Sequence, residues 1–141
     1  MARRDPYGAF NFLVEIDGIT VAGFSECSGL VAETAVIEYR EGSDKAGVRK
    51  IPGITKYANL TLKRGLTTSR DLWQWHRTVA TGKVERRSGR IVVLDEDRNP
   101  AASFRFVEGW PAKYEGPSLK ATGNEVAIET LEIAHEGLEL E

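Results

Sequence analysis

Cys27 is the single cysteine and His76 and His135 the only histidines in the chain. A thiol nucleophile would have to take its base from one of those two imidazoles. No family-type local signature surrounds Cys27, so the small-hydrolase reading is the weaker one and a buried, inert thiol the stronger. The same three residues could offer zinc ligands, but they stand about fifty or more positions apart, without the short spacing of structural sites. Asp95, Glu96 and Asp97 form a carboxylate cluster, yet "LDEDRNP" between two apolar runs has the composition of a solvated turn. "GVRKIPGIT" superficially resembles a phosphate loop. Pro52 stands where its second glycine belongs, and Ile54 follows Gly53 where lysine is required. The expectation is a non-enzyme with no catalytic residues, no cofactor and no metal.

The basic run "KVERRSGR" offers Lys83, Arg86, Arg87 and Arg90 as a nucleic-acid grip. In a single-strand binder the aromatics alternate with the basic residues. Here they precede them, in "TTSRDLWQWHRTVATGK". In that stretch Leu72, Trp75, His76 and Val79 fall at i, i+3, i+4 and i+7, the apolar face of a helix, and Trp73 points to a flank. Thr68 and Asp71 suggest a capping pattern, Gly82 a C-terminal stop, and Lys83 and Arg86 suit the negative end of the helix dipole. The spacing predicts one helix over about 69–81 whose tryptophans are core, not a cofactor box.

Strand signals dominate elsewhere. Phe10, Phe12, Val14 and Ile16 alternate, and Asp17-Gly18 before "ITVAGF" predicts a hairpin. "AVIEYR" (35–40) and "YANLTLKR" (57–64) read as strands, as do "RIVVLD" and "ASFRFVE" around their turn. Between the first of these pairs, a glycine-rich charged stretch over about 41–56 has little periodicity and reads as a long extended loop, a length uncommon without a function. Near Glu129-Thr130 the alternation slips by one, which predicts a bulge or a change of packing surface. The fold expected is mainly β, a β-barrel or β-sandwich with a single flanking helix, as one domain over 1–141.

The 141 residues suffice for a core, and a net charge of −2 provides no global attraction to nucleic acid or anionic membrane. "MARRDPYGAF" develops no apolar signal region, and no apolar run spans a bilayer, so cytoplasmic synthesis without a signal peptide and no membrane insertion by the monomer are expected. Charge is segregated. Lys63, Arg64, Arg70, Arg77, Lys83, Arg86, Arg87 and Arg90 face only Asp71 and Glu85 over 63–90, while six glutamates and no base follow Lys120. Such complementarity pairs faces within a subunit or steers one subunit onto the next.

Three long stretches, "DPYGAFNFLVEIDGITVAGFSECSGL", "YANLTLKRGLTTSRDLWQW" and "WPAKYEGPSLKATGNEVAIETLEIAHEGLE", together resemble the tail-tube proteins of contractile phages and the inner-tube proteins of phage-derived contractile injection particles. The resemblance runs in order from Asp5 to about Glu139. It implies an Hcp-like fold and a structural protomer of stacked hexameric rings around a channel for DNA or effector, held without sequence-specific binding. Implied partners are other copies of the chain, a sheath protein, and baseplate and tube-terminating proteins. Residence in a virion tail or injection particle follows, as does a tube-initiating paralogue as the alternative role. It also implies that the 41–56 region reaches neighbouring subunits, through Glu41, Gly42, Ser43, Asp44, Lys45, Arg49, Lys50, Pro52, Gly53 and Lys56. Strands would line the channel and the helix would lie outward, with the Asp95–Asp97 turn toward a sheath.

Overall fold

The computed structural model describes residues 6–9, 11–19, 23–42 and 47–141; Phe10 lies outside them. The strands are β1 (Phe12–Ile16), β2 (Phe24–Ser28), β3 (Ala32–Tyr39), β4 (Arg49–Tyr57), β5 (Leu60–Gly65), β6 (Arg87–Leu94), β7 (Pro100–Glu115), β8 (Ile128–Ala134) and β9 (Gly137–Leu140), with one helix, α1 (Asp71–Ala80), between β5 and β6. Seven strands form one curled antiparallel sheet in the order β1-β6-β7-β8-β5-β2, with β9 also on β7. β3 and β4 pair only with each other, as a separate two-stranded ribbon.

β7 joins the two parts of the sheet. Its first half pairs with β6 and β9, and its second half, from Trp110, pairs with β8. A strand that changes sheets needs a corner. Here Glu108 has φ 53° and Gly109 follows it. Phe106, fully buried just before the corner, lies against two glycines: a Cβ on Gly89 or on Gly109 would stand 2.7 Å from its ring. An aromatic ring covering glycines in this way restores the packing the glycines lack.

The interior is filled by Val14, Ile16, Leu60, Leu62, Ile91, Leu131 and Ile133 from the sheet and Leu72 and Trp75 from α1. The alternation in β1 and the β6–β7 hairpin are as the sequence predicts, and α1 buries Leu72 and Trp75 with His76 and Val79 half-buried beside them. The helix begins later than expected. Its N-cap is Arg70 with no side-chain cap bond, and Thr68 plays no capping role. Instead the Ser69 hydroxyl accepts from the Asp71 amide at 3.4 Å, and the Thr67 hydroxyl from the Ser69 amide at 3.3 Å. Gly82 ends the helix with φ 82°, a left-handed stop open to glycine at no steric cost.

Two expectations need correction and a third is met in part. Asp17-Gly18 turns the chain and closes the antiparallel Ile16–Ile19 bridge of the expected hairpin; residues 20–22 of its second arm lie outside the described residues, and the strands on either side pair elsewhere, β1 with β6 and β2 with β5. Gly18 sits under Arg87, whose Nη1 is 2.1 Å from where a Cβ would be. The slip near Glu129 is not a bulge. In β8 the buried positions are Glu129, Leu131 and Ile133, in unbroken alternation, and Val126 lies exposed before the strand. A buried glutamate in the apolar phase disguised the register. Finally, the stretch 41–56 is not all loop: from Arg49 onward it is β4.

Candidate assembly surface

The ribbon departs from ordinary strand composition in one respect: every residue of β3 is exposed. Its apolar side chains are large and sit on both faces. Val36 opposes Pro52, and Ile37 opposes Ile51. Val36 is 61% exposed and Ile54 73%. A bulge between Thr34 and Val36 accommodates Gly53, where a Cβ would press within 3.2 Å of the Ala35 carbonyl oxygen. Pro52 donates no hydrogen bond, and an edge strand tolerates it. Thr34 and Thr55 hydroxyls bond across the ribbon at 2.9 Å. A two-stranded ribbon in water is at best marginally stable alone. With both faces wet it has no burial period to reveal it in sequence, which is why β4 reads as loop.

The structure brings Arg49, Lys50, Pro52, Gly53 and Lys56 onto β4 and puts Glu41 and Gly42 on the exposed turn beyond β3. Tyr39 donates to Glu41 Oε1 at 3.4 Å. Ser43, Asp44 and Lys45 lie outside the described residues. Asp95–Asp97 forms a tight turn in which Asp95 Oδ1 accepts from the Asp97 and Asn99 amides, both at 2.9 Å. Asp95 is thus occupied locally, and Glu96 and Asp97 carry the exposed charge.

The basic run is less available than its composition suggests. Arg87 donates to the Asp17 carbonyl at 2.6 Å and to Glu85 at 2.8 Å, and its guanidinium lies over the Trp75 ring. Trp75 Nε1 donates to the Glu85 carbonyl at 2.7 Å. Arg87 is a clasp between the Gly18 turn and α1. Arg90 lies in a cross-strand row with Glu15 and Arg105. Only Lys83 and Arg86 of the four project without such a role among the described residues.

One buried network lies outside the candidate residues that the sequence offers. Arg64 and Glu129, directly paired on β5 and β8, are 3% and 2% exposed and form an ion pair. Tyr114 donates to the other Glu129 oxygen at 2.6 Å. Burial first, then the bond to Glu129 and its negative charge, push the Tyr114 hydroxyl up to about 12. Arg64 belongs to the basic segment and Glu129 to the acidic tail, so part of their complementarity is satisfied inside one subunit. The signal was present in the phase: Arg64 follows Leu60 and Leu62 at the period of two.

Cys27 lies on β2 opposite Leu62, and burial raises its thiol to about 11, far from a reactive thiolate. Among the described residues no group of three or more His, Cys, Asp or Glu side chains is placed to hold a metal ion.

No curated protein is significantly similar in sequence. Among solved structures, the fold is shared with a chain of an extracellular contractile injection system in its extended sheath–tube complex, with TM-score 0.87 and 23% identity over 96% of this chain and 91% of that one. It is shared equally with a chain of the anti-feeding prophage tube-terminating cap, with TM-score 0.89 and 24% identity over 100% and 94%. Hcp1 from Flavobacterium johnsoniae is more distant, with TM-score 0.62 and 17% identity over 93% and 94%. The family model described as T4-like virus tail tube protein gp19 matches residues 8–139. With nearly its whole length matched by that model and its fold shared with tube structures, the chain belongs to the T4-like virus tail tube protein gp19 family and is a tail tube protein.

Proposed function

We propose that this tail tube protein is a single-domain structural protomer, spanning residues 1–141, that forms hexameric rings stacked into a rigid hollow tube and performs no catalysis. The observation that carries the reading is the ribbon: large apolar side chains on both faces of a hairpin that its own body leaves uncovered. Such a surface in a monomer is a liability. In a stack it becomes a contact between copies, and a head-to-tail contact propagates without closing. Residues Glu41 to Lys56 then bridge copies within and between rings, and the channel carries DNA or a protein effector without reading its sequence.

Solved relatives come from complexes described as sheath–tube, baseplate and tube terminator. By that analogy the partners here are a sheath, a baseplate and a terminating protein. The exposed Glu96 and Asp97 are offered to the sheath; charge reversal that leaves sheath recruitment unchanged would remove them from this role. The fit to the baseplate relative, at TM-score 0.89, equally suits a tube-initiating role. Synthesis is cytoplasmic, and residence is in the tail or particle. Electron microscopy of the purified chain at low and moderate salt tests the reading. Rings or hollow tubes are expected, forming more slowly as salt screens the charged faces. A chain that stays monomeric even with baseplate components present contradicts it.

A further inference from the structure

We propose that His135 is a proton-operated joint that fastens the root of the ribbon to the body. The imidazole stands in the turn from β8 to β9. Its Nδ1 is 3.0 Å from the Gly137 carbonyl oxygen, and its Nε2 is 3.0 Å from the Ala58 carbonyl oxygen. Both partners are acceptors only. A neutral imidazole carries one N–H, so one ring nitrogen would point a lone pair at a carbonyl lone pair; only the imidazolium donates to both.

Ala58 is where this matters. It follows β4 directly, and its amide donates to the Val31 carbonyl at 3.3 Å, closing the last rung of the ribbon before β5 enters the sheet. Its carbonyl points the other way, to His135. The Tyr57 ring at the end of β4 lies 5.8 Å from the imidazole, and the buried Phe106 ring of β7 lies 6.1 Å away on the body side. The protonated ring therefore links ribbon, turn and core. The Gly137 bond spans two residues within one turn and the Ala58 bond spans 77. On deprotonation the tautomer keeping the local bond retains it cheaply, and the link released is the one to the ribbon.

The titratable groups nearby are consistent with this. The ribbon contributes the Tyr57 phenol. The histidine's own strand and turn contribute Glu132, held by the Asn59 amide at 2.9 Å, and Glu136. β7 contributes the uncharged Phe106. Imidazole is the side chain whose charge answers most readily to proton concentration, so a joint of this geometry lets proton concentration bias ribbon placement. A consequence for assembly rests on the tube reading above; the joint itself does not.

The test is a pH titration of the full chain with nitrogen-labelled histidine, followed by magnetic resonance, with hydrogen exchange at Ala58 measured alongside. His76 is an internal comparison remote from the ribbon. At the acid end His135 should carry both ring protons, and Ala58 amide protection, corrected for intrinsic exchange, should fall roughly tenfold as that proton is lost. The His135→Gln variant, which keeps one donor, should lose this dependence. A His135 that stays a single neutral tautomer throughout, or protection that ignores its titration, overturns the joint in the wild-type chain alone. Assembly is scored at the same pH values. Tubes indifferent to pH beside a working joint would overturn its control of assembly, and absence of tubes at every pH would overturn the tube reading while the joint stands.

Discussion

The curled sheet and the ribbon are both antiparallel β structure, yet they obey opposite rules. In the sheet each strand hides one face: β5 and β8 alternate buried and half-buried positions without a break. In the ribbon no face is hidden. Val36, Ile37, Ile51 and Ile54 would be core residues by type, and all are exposed. The body has the burial that makes a domain stable. The ribbon has exposed apolar surface on both faces, with His135 at its root. On the function proposed above, stability and assembly fall to different residues of one chain.

That division can be broken at measured points. The largest stability loss is expected at the corner of β7. Phe106→Ala removes a fully buried ring over Gly89 and Gly109 and should cost about 3–5 kcal/mol in denaturant unfolding. A loss under ~1 kcal/mol would mean the corner collapses readily around the gap. Next is Glu129→Ala, which leaves Arg64 charged and buried with a polar partner gone on both sides; removing one member of a buried pair costs on the order of 3–5 kcal/mol, somewhat less where water enters.

Tyr114 sharpens the same network through pH. Its hydroxyl is raised from the ordinary value of 10.0 to about 12, so the folded chain holds the proton more tightly than the unfolded one. The stability this brings is complete below pH 10.0 and is lost as pH climbs from there toward about 12. Tyr114→Phe should flatten that alkaline loss in denaturant unfolding followed by tryptophan fluorescence. A variant with the same alkaline slope would detach Tyr114 from Glu129.

The smallest stability effect belongs to the ribbon. Ile54→Ser exchanges an exposed side chain for a polar one and should change unfolding free energy by under ~0.5 kcal/mol. The same change should sharply reduce tube formation. A clear destabilisation of the monomer would mean the ribbon is covered by its own body after all.

The body was largely legible in sequence because burial imposes a period. Val14 and Ile16 alternate, the turn at Asp95 to Asn99 separates two apolar runs, and Leu72, Trp75, His76 and Val79 repeat at helical spacing. Legibility failed where that period was absent or disguised. β4 exposes nearly every residue and carries Pro52 and Gly53, so it imitates a loop. Glu129 occupies a core position, so its strand imitated a slipped register. Asp17-Gly18 is a true turn, but local chemistry cannot say which strand it delivers to which partner; that is settled by Arg87 clasping Gly18 and by β1 pairing with β6. In sequence His135 offers only a candidate ligand or base, because a contact with Ala58 across 77 positions leaves no local trace.

The central claim is that the ribbon is uncovered in one chain and covered in the assembly. Hydrogen exchange of the β3 and β4 amides, compared between dispersed chains and assembled tubes with the β5 and β8 amides as reference, tests it most directly. The account predicts strong protection of β5 and β8 in both states, and ribbon amides that exchange quickly in the dispersed chain and become protected in the tube. Ribbon amides equally protected in both states, or equally unprotected, would contradict it.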